Sequence, residues 1–355
     1  MSENRLPAEW EPQSGVMLTW PHENTDWAPI LDRTLPVFVQ IGAAIAREET
    51  LLSVCRDAAH VADVSKMLGE AGAHPNNLCF ALCPSNDTWA RDHAPLTTLS
   101  NDRPSLQDFV FDGWGKKFSA EPDNAINRCL HLQGAFGTAP MCSQQLVLEG
   151  GAIETDGHGT LLATRSSLLD RVRNPGLSQA QIEQQLRDVL GIKRFLWLDQ
   201  GKLSGDDTDA HIDILARFTD PKTIVFSSAP PDDQDHQALN AMHRQMQTFH
   251  DAAGEPYRLR KLPYPGVLRD KQGRRLAAGY ANFLITNQSV LAPVFGVPAD
   301  TQAIDLLGDC FPDRRILPIN CRQILEQNGS LHCLTMQFPA QIELHNGTFF
   351  RASRA

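Results

Sequence analysis

The chain lacks most of the features that mark secreted, membrane-spanning or disulfide-rich proteins. Its first residues, 1–7, do not show the charged-then-apolar pattern of a secretion signal, and no apolar run approaches the roughly 18 residues of a membrane span. The eight cysteines form neither CxxC pairs nor a regular disulfide spacing, so most are expected to be free thiols in a reducing compartment. These absences predict a soluble cytoplasmic protein that does not bind a membrane.

Basic clusters and low-complexity linkers are absent as well. The 32 Lys and Arg residues against 42 Asp and Glu residues give a formal net charge of −10. Nucleic-acid phosphates need basic patches, so no nucleic-acid partner is expected, and the acidic balance favours a cationic ligand. With 355 residues and 42% hydrophobic content the chain can bury a sizeable core, and residues 1–355 are predicted to form one domain. The sequence is compatible with a homo-oligomer and does not decide the oligomeric state.

A unit of strand, helix and strand recurs at intervals of about 45 to 65 residues, and five copies can be drawn. The first strands, rich in leucine or β-branched residues, are predicted at 50–54, 95–99, 160–164, 223–227 and 289–293. The return strands are predicted at 77–82, 145–148, 194–198, 257–262 and 315–319. The clearest helix runs from an N-cap at Ser178 to a C-terminal glycine at Gly191. This pattern favours a closed α/β propeller, with a doubly wound sheet as the alternative.

Four of the five return strands lead into polar motifs that would meet at the centre of such a propeller. The motifs are 86–92, 148–151 and 205–213, followed by Cys333 in a predicted closing strand at 331–336. The segment from His211 to Asp213 alternates as a strand would, which places these two side chains on one face.

Each of these residues also has a structural interpretation. A free cysteine such as Cys333 is more often a small core residue than a nucleophile. His211 and Asp213 are about as often a buried structural pair. Asp92 and Glu149 are equally compatible with turn or surface charges.

The same holds for the acidic loop and the tryptophan. The loop 206–209 resembles a solvated turn or a calcium loop, although it lacks the spacing and closing glutamate of an EF-hand. Trp89 is of a type that more often serves as a half-buried anchor than as a substrate contact.

Together these residue types fit chemistry on a guanidinium group. A guanidinium stays protonated at ordinary pH, and paired carboxylates can bind its planar fork of N–H donors. A bound cation and a nearby histidine favour the thiolate of Cys333, which can then attack the central carbon. His211 can first protonate the departing nitrogen and afterwards deprotonate water.

At these positions the sequence resembles the agmatine deiminases, a family of the guanidino-group-modifying superfamily that also contains arginine deiminases, bacterial peptidylarginine deiminases and amidinotransferases. The motifs that carry the resemblance are 15–21, 89–92, 148–151, 207–213, 280–283 and 331–333. The resemblance implies a fivefold pseudosymmetric α/β propeller, or pentein, and hydrolysis of agmatine to N-carbamoylputrescine and ammonia. It implies no metal and no organic cofactor.

The resemblance also implies roles for individual residues. Cys333 would be the nucleophile that carries an amidino intermediate, and His211 the acid and base. Asp92 and Asp213 would bind the guanidinium, and Glu149 would orient the histidine and contact the substrate. The substrate site would further be lined by Asp207 and Trp89.

Three departures from the family pattern bear on specificity. Ala94 and Ala210 stand where the family usually has glycine, and the segment 327–330 replaces a glycine-rich stretch before the cysteine. The first two add a methyl group where backbone can pass close to a ligand.

Alternatives remain at this stage. One is a deiminase of another small guanidine compound or of arginine in peptides. Another is a metal hydrolase that uses His211, Asp213, Glu149 and Asp92 as ligands, with Cys333 merely buried. A third is a catalytically inactive binding protein that keeps the fold. Between Lys202 and Arg217 the chain has no basic residue, which favours an amine-ended substrate over free arginine.

Overall fold

A computed structural model of the protein describes residues 4–348. The strands in this range are β1 Gln13–Thr19, β2 Thr50–Cys55, β3 Leu78–Leu82, β4 Leu96–Ser100, β5 Arg103–Val110, β6 Met141–Val147, β7 Ile153–Thr155, β8 Thr160–Thr164, β9 Arg194–Leu198, β10 Ala216–Asp220, β11 Thr223–Phe226, β12 Arg258–Lys261, β13 Leu284–Ile285, β14 Ser289–Val294, β15 Arg315–Asn320 and β16 Thr335–Pro339. The α-helices are α1 Leu31–Ala46, α2 Ala58–Glu70, α3 Ala90–His93, α4 Gly113–Lys116, α5 Glu121–Leu132, α6 Arg165–Leu168, α7 Gln179–Leu190, α8 His236–Met246 and α9 Ala299–Cys310.

Within residues 4–348 the strands form five small sheets in a mixed α/β fold. Four of these sheets have three strands each, in the orders β4-β5-β6, β7-β8-β9, β10-β11-β12 and β13-β14-β15. In each of the four, an antiparallel pair is followed by a parallel pair whose connection contains a helix. The fifth sheet, β16-β1-β2-β3, places the last strand antiparallel to β1.

The predicted repeat is confirmed in four copies and wrong in one strand of the second. The segment 95–99 was expected to start the second strand-helix-strand unit, but it belongs to β4 and pairs antiparallel with β5. The helical connection begins after β5. The reason is a tight hairpin at Asn101 and Asp102, whose φ angles of 50° and 59° lie in the left-handed region that these residue types tolerate.

Helix α7 confirms the sequence-based prediction in detail. Ser178 and Gln181 form a capping box, and Gly191 ends the helix with a φ of 70°. A Cβ atom at Gly191 would meet the carbonyl oxygen of Asn4 at 1.7 Å, so glycine is required there. Ile182, Leu186 and Leu190 are buried along one face of this helix.

The expectation about apolar segments needs correction, whereas the expectation that most cysteines are free thiols is confirmed. Residues 28–46 form a helical stretch of 19 residues with a mean hydropathy of 1.2, so one segment does approach membrane-spanning length by composition. Its Phe38 and Ile41 pack in the hydrophobic core. Cys83 and Cys129 form a disulfide that joins the end of β3 to α5, whereas the other six cysteines are free.

Short helical turns stand directly before the antiparallel strands, and they carry the polar motifs. They are α3 before β4, Gly150–Ala152 before β7, Ile212–Ile214 before β10 and His332–Leu334 before β16. The strand predicted at 211–213 is therefore wrong throughout, and the strand predicted at 331–336 is wrong up to Leu334. The alternating pattern at 211–213 arises because both polar side chains of this segment, His211 and Asp213, are buried.

Candidate active site

One or two polar side chains from each of the five repeated units meet at these turns. Asp92 lies in α3, Glu149 precedes the turn Gly150–Ala152, and Asp213 lies in the turn Ile212–Ile214 just after His211. Cys333 lies in the last turn, which contacts α3. The residues that the sequence singled out are thus brought together.

Asn282, which precedes β13, is the contribution of the β13-β14-β15 sheet. Its Oδ1 accepts from the backbone N–H groups of His332 and Cys333, at 2.9 and 3.3 Å, and lies 3.4 Å from the Cys333 Sγ. Asn282 was noted only as part of a motif. The repeat itself points to it, since Asn282 follows the return strand 257–262, which had no assigned polar motif.

The Cys333 thiol is buried, with 5% exposure, and faces carboxylates. Its Sγ lies 3.6 Å from the Asp213 Oδ2. Burial, followed by the charges of Asp213 and Asp92, raises the pKa of this thiol well above its ordinary value. The thiol is therefore protonated until a cation enters the site.

Asp92 and Asp213 are both buried but differ in their surroundings. Asp92 accepts from the Gly151 N–H at 3.1 Å and from the Trp114 indole N–H at 2.9 Å. Burial, Asp213 and Glu149 raise the pKa of Asp92 well above its usual range. Burial also raises the pKa of Asp213, but a 2.9 Å contact with the His332 Nδ1 and the nearby cations bring it below its usual value.

His211 is fully buried beside these carboxylates. Its Nδ1 lies 3.6 Å from the Asp92 Oδ1 and its Nε2 lies 4.0 Å from the Glu149 Oε2. Neither ring nitrogen has a hydrogen-bond partner in the described part of the chain. Burial lowers the pKa of His211 to about 3, so the imidazole is neutral in the empty site.

The glycines of the motif 148–151 are explained by this crowding. A Cβ atom at Gly151 would lie 2.7 Å from the His211 Nδ1 and 2.8 Å from the Asp92 Oδ1. At Gly150 it would lie 2.2 Å from the Arg91 carbonyl oxygen. Both positions therefore require glycine for close packing against polar groups.

Glu149 is held mainly by a cation that sequence reasoning missed. Both of its carboxylate oxygens accept from the Arg173 Nε, at 2.8 and 3.1 Å. Burial outweighs this ion pair and raises the pKa of Glu149. Arg173 and Lys117 also contact the Asp209 Oδ2, at 2.8 and 2.7 Å. Basic side chains from distant segments therefore reach the acidic loop.

The substrate-sized pocket is an open cavity of about 400 Å³. Its lining residues are Asp26, Asp87, Trp89, Asp92, Trp114, Phe118, Asp207, Thr208, Gln327, Asn328, Gly329 and Cys333. Burial raises the pKa of Asp207 to about 6. The Asn328 Nδ2 donates to the Asp207 Oδ2 at 2.7 Å. The Arg274 guanidinium donates to the Oδ1 of the same Asn328 side chain.

Of the positions that depart from the family pattern, residues 327–329 line this pocket, whereas Ala94 and Ala210 do not. Ala210 has a φ of 70°, a strained angle for alanine, and its N–H donates to the Asp206 Oδ2 at 2.7 Å. Asp206 also accepts from the backbone and hydroxyl of Thr208. It organises the loop and is not a solvated charge. A Cβ atom at Gly329 would lie 2.3 Å from the Trp89 ring, so this ring packs on bare backbone.

Metal ligation has no support in the geometry. Within residues 4–348, no group of three or more His, Cys, Asp or Glu side chains is arranged to hold a metal ion. The metal-hydrolase interpretation therefore lacks a ligand set in this range.

The fold is similar to those of solved deiminases. A Porphyromonas gingivalis protein provisionally named an arginine deiminase has a TM-score of 0.89 and 44% identity, with 96% of this chain and 99% of its own covered. A C. jejuni agmatine deiminase, solved as a cysteine-to-serine variant with substrate bound, has a TM-score of 0.87 and 30% identity, with 97% of each chain covered.

Sequence comparison then gives the family. The profile of the Porphyromonas-type peptidyl-arginine deiminases matches residues 5–339, so the chain belongs to this family. A Yersinia pseudotuberculosis protein provisionally named an agmatine deiminase is 33% identical over 363 aligned positions, which cover 94% of this chain and 95% of the relative.

Proposed function

We propose that this protein is an agmatine deiminase, which hydrolyses agmatine to N-carbamoylputrescine and ammonia through a covalent amidino-cysteine intermediate. The observation that carries the proposal is the buried Cys333 thiol beside two buried carboxylates, Asp92 and Asp213, in the inner part of an acidic pocket. Similarity to agmatine deiminases over nearly the whole chain supports the same substrate.

Binding begins with the guanidinium group. Asp92 and Asp213 bind its N–H donors, and Trp89 and Trp114 enclose its apolar stem. The bound cation favours ionisation of Cys333, because it offsets the carboxylate charges that add to burial in raising the pKa of the thiol. The catalytic thiolate therefore forms when substrate is present.

The first half-reaction forms a carbon–sulfur bond. The Cys333 thiolate attacks the central carbon, and the thiol proton is taken up within the site by His211. The imidazolium then protonates one terminal nitrogen, which leaves as ammonia, so that an amidino group remains on sulfur. The low pKa of His211 in the empty site makes its imidazolium a strong acid.

The second half-reaction consumes one water. Neutral His211 takes a proton from water, the hydroxide adds to the amidino carbon, and the carbon–sulfur bond breaks. The products are the ureido compound and the Cys333 thiolate, which recovers the proton held by His211 and so restores the thiol. The remaining proton, from the added hydroxyl group, is taken up by the released ammonia, which leaves as ammonium. Glu149, held by Arg173, limits the tilt of the His211 ring in both steps and lies within reach of the substrate.

The distal ammonium of agmatine would lie near Asp207, whose Oδ2 is bound by Asn328 in the empty site. An α-carboxylate at that place would meet like charge from Asp207 and Asp26, both of which line the pocket. Lys117 and Arg274 stand nearby, but their contacts to Asp209 and Asn328 occupy them.

The proposal extends to the architecture. We take the five sheets as blades of a fivefold pseudosymmetric propeller within one catalytic domain, because each supplies a polar residue from the segment just before β4, β7, β10, β13 or β16. The reaction as written needs no metal and no organic cofactor. Cytoplasmic location stays a prediction.

Ammonia release from agmatine, arginine, arginyl peptides and short alkylguanidines tests the substrate. We expect kcat/KM for agmatine to exceed that for arginine by at least about tenfold, since one like-charge contact of roughly 1.4 kcal/mol gives that factor. Equal values, or a preference for arginine or arginyl peptides, would contradict the assignment of agmatine.

Controls separate this proposal from its rivals. Cys333→Ala is expected to abolish turnover, and the wild type quenched in acid should show an amidino adduct by intact-protein mass spectrometry. Substantial activity in Cys333→Ala would end the covalent mechanism. Activity lost to a chelator and restored by a metal would favour a metal hydrolase. Binding without ammonia release would favour an inactive binding protein.

A further inference from the structure

Several buried charged groups behind Asp213 have no part in the proposed reaction. His332 is 2% exposed and Glu9 is 7% exposed. The His332 ring lies between two carboxylates, with Nδ1 2.9 Å from the Asp213 Oδ2 and Nε2 2.8 Å from the Glu9 Oε2. Both ring nitrogens therefore face carboxylate oxygens at hydrogen-bond distance.

The partners of Glu9 fix the proton on the far side of the ring. Its Oε1 accepts from the Ile285 N–H at 2.7 Å, and its Oε2 accepts from the Arg217 Nη2 at 2.7 Å. Burial raises the pKa of Glu9, but Arg217 and His332 hold it far below its usual value. Glu9 is thus an ionised acceptor, so the His332 Nε2 must carry a hydrogen.

The remaining question is which form the imidazole takes toward Asp213. A neutral ring with its hydrogen on Nε2 has a lone pair on Nδ1, and this form requires a protonated Asp213. The imidazolium instead donates to both carboxylates. Burial, Arg217 and Arg91 lower the pKa of His332 below its usual value, and Glu9 and Asp213 offset only part of this effect.

The two carboxylates beside the ring favour the imidazolium. The titratable and charged groups that face His332 from the elements around it are Glu9, Arg91, Glu154, Asp213, Arg217 and Cys333. Burial raises the pKa of Glu154 to about 7, so near neutral pH its charge is only partial and the two arginines roughly balance Glu9 and Asp213. The geometry therefore decides the form of the ring, because an ionised carboxylate stands at hydrogen-bond distance from each ring nitrogen.

His332 also has its own route to solvent. Asp92 and Cys333 line the substrate pocket, whereas their chain neighbours Arg91 and His332 line a second open cavity of about 400 Å³. The two cavities have no lining residue in common. The Arg91 Nε and Nη2 lack hydrogen-bond partners among the described residues, which suits a water-filled space.

We propose that His332, fixed by Glu9, is a positioning residue that donates its Nδ1–H to Asp213 and keeps that carboxylate ionised for cation binding. The inference rests on the proposed function in one respect, namely that Asp213 binds the substrate guanidinium. The protonation state of His332 itself does not depend on it.

The kinetic test uses His332→Gln, which keeps a hydrogen-bond donor but loses the charge. Asp213 must then lose a proton before substrate binds, so the acid limb of kcat/KM becomes steeper and moves to higher pH. We expect the loss of kcat/KM at about pH 6 to exceed the loss at about pH 9 by at least about tenfold, since one unit of pKa is a factor of ten. A loss of equal size at both pH values would overturn the proposal.

His93→Gln is the matched control, because His93 is also a buried histidine but has no carboxylate partner. Its acid limb should stay in place even if activity falls. A shift equal to that of His332→Gln would overturn the proposal.

A second measurement does not require activity. In nitrogen NMR of the ¹⁵N-histidine-labelled protein at neutral pH, the signals lost in His332→Gln should be those of a doubly protonated ring. A neutral ring there would overturn the proposal. If the wild type shows this imidazolium but releases no ammonia from any guanidine, the proposed function fails and the His332 assignment stands.

Discussion

At the scale of single residues, the two guanidinium-binding carboxylates differ in their protonation before substrate arrives. The pKa of Asp213 is lowered by His332, so Asp213 is ionised, whereas burial and neighbouring carboxylates raise the pKa of Asp92 well above its usual range. A bound cation lowers the pKa of Asp92, so the Asp92 carboxyl group must lose its proton when the cation binds.

We therefore expect cation binding near neutral pH to release up to about one proton from Asp92. The measurement is titration calorimetry of agmatine into Cys333→Ser in buffers of different ionisation enthalpy. Asp92→Asn in the same background should release almost none, and Asp305→Asn, on an exposed position of α9, should match the parent. Proton uptake, or release unchanged in Asp92→Asn, would contradict this assignment.

The sequence identified the residues proposed to act on the substrate better than the charged residues that pack behind them. Asp92, Glu149, His211 and Cys333 follow predicted strands or stand in motifs, so local pattern found them. The groups behind them come from far along the chain: Glu9 meets His332 across 323 residues. No local periodicity encodes such a contact, and a buried ion pair is visible only once the turns are packed.

At the scale of elements, the short turns make the site, and their glycines set how closely the turns approach. The turn Gly150–Ala152 contacts both α3 and the turn Ile212–Ile214. Sequence patterns predicted the long helix α7 and most strands, but not these turns, because three or four residues carry too little periodicity.

Gly151→Ala is expected to displace His211 or Asp92, because the added methyl group would lie under 3 Å from both. A misplacement of about 1 Å can cost about 100-fold, and we expect kcat/KM to fall by at least that factor. Gly69→Ala in α2, where an added Cβ meets nothing within 4 Å, is the matched control and should be fully active. Activity of Gly151→Ala near that of the control would show that the turn can shift to accommodate the methyl group, and this result would contradict the prediction.

At the scale of the whole molecule, the excess of acidic residues raises the rate at which a cationic substrate reaches the pocket. The chain carries a formal net charge of −10, and Asp26, Asp87, Asp92 and Asp207 line the pocket. Fields of this kind raise the encounter rate of cations and are screened by salt.

We expect kcat/KM for agmatine, a dication, to fall severalfold between about 10 mM and about 1 M salt, as the Debye length shrinks from about 30 Å to about 3 Å. A monocationic alkylguanidine of similar length should show a shallower fall. The measurement is kcat/KM for both compounds as a function of salt concentration, in wild type and in Asp207→Asn. In Asp207→Asn the salt dependences of the two compounds should approach each other. Equal slopes in the wild type would show that long-range charge has no part in capture.

The pairing of β1 with β16 also has a consequence for the chain while it is being made. The apolar residues Val16 and Leu18 in β1 have β2 on one side, but their other neighbour, β16, lies more than 300 residues later. Protein synthesis adds about 5–20 residues per second, so this edge of β1 stays unpaired for roughly 15 to 60 s before β16 has been made. During this time it is an open strand edge of the kind that pairs with other chains. Newly made protein therefore passes through a period of aggregation risk that ends only when the strand following the nucleophile has been synthesised.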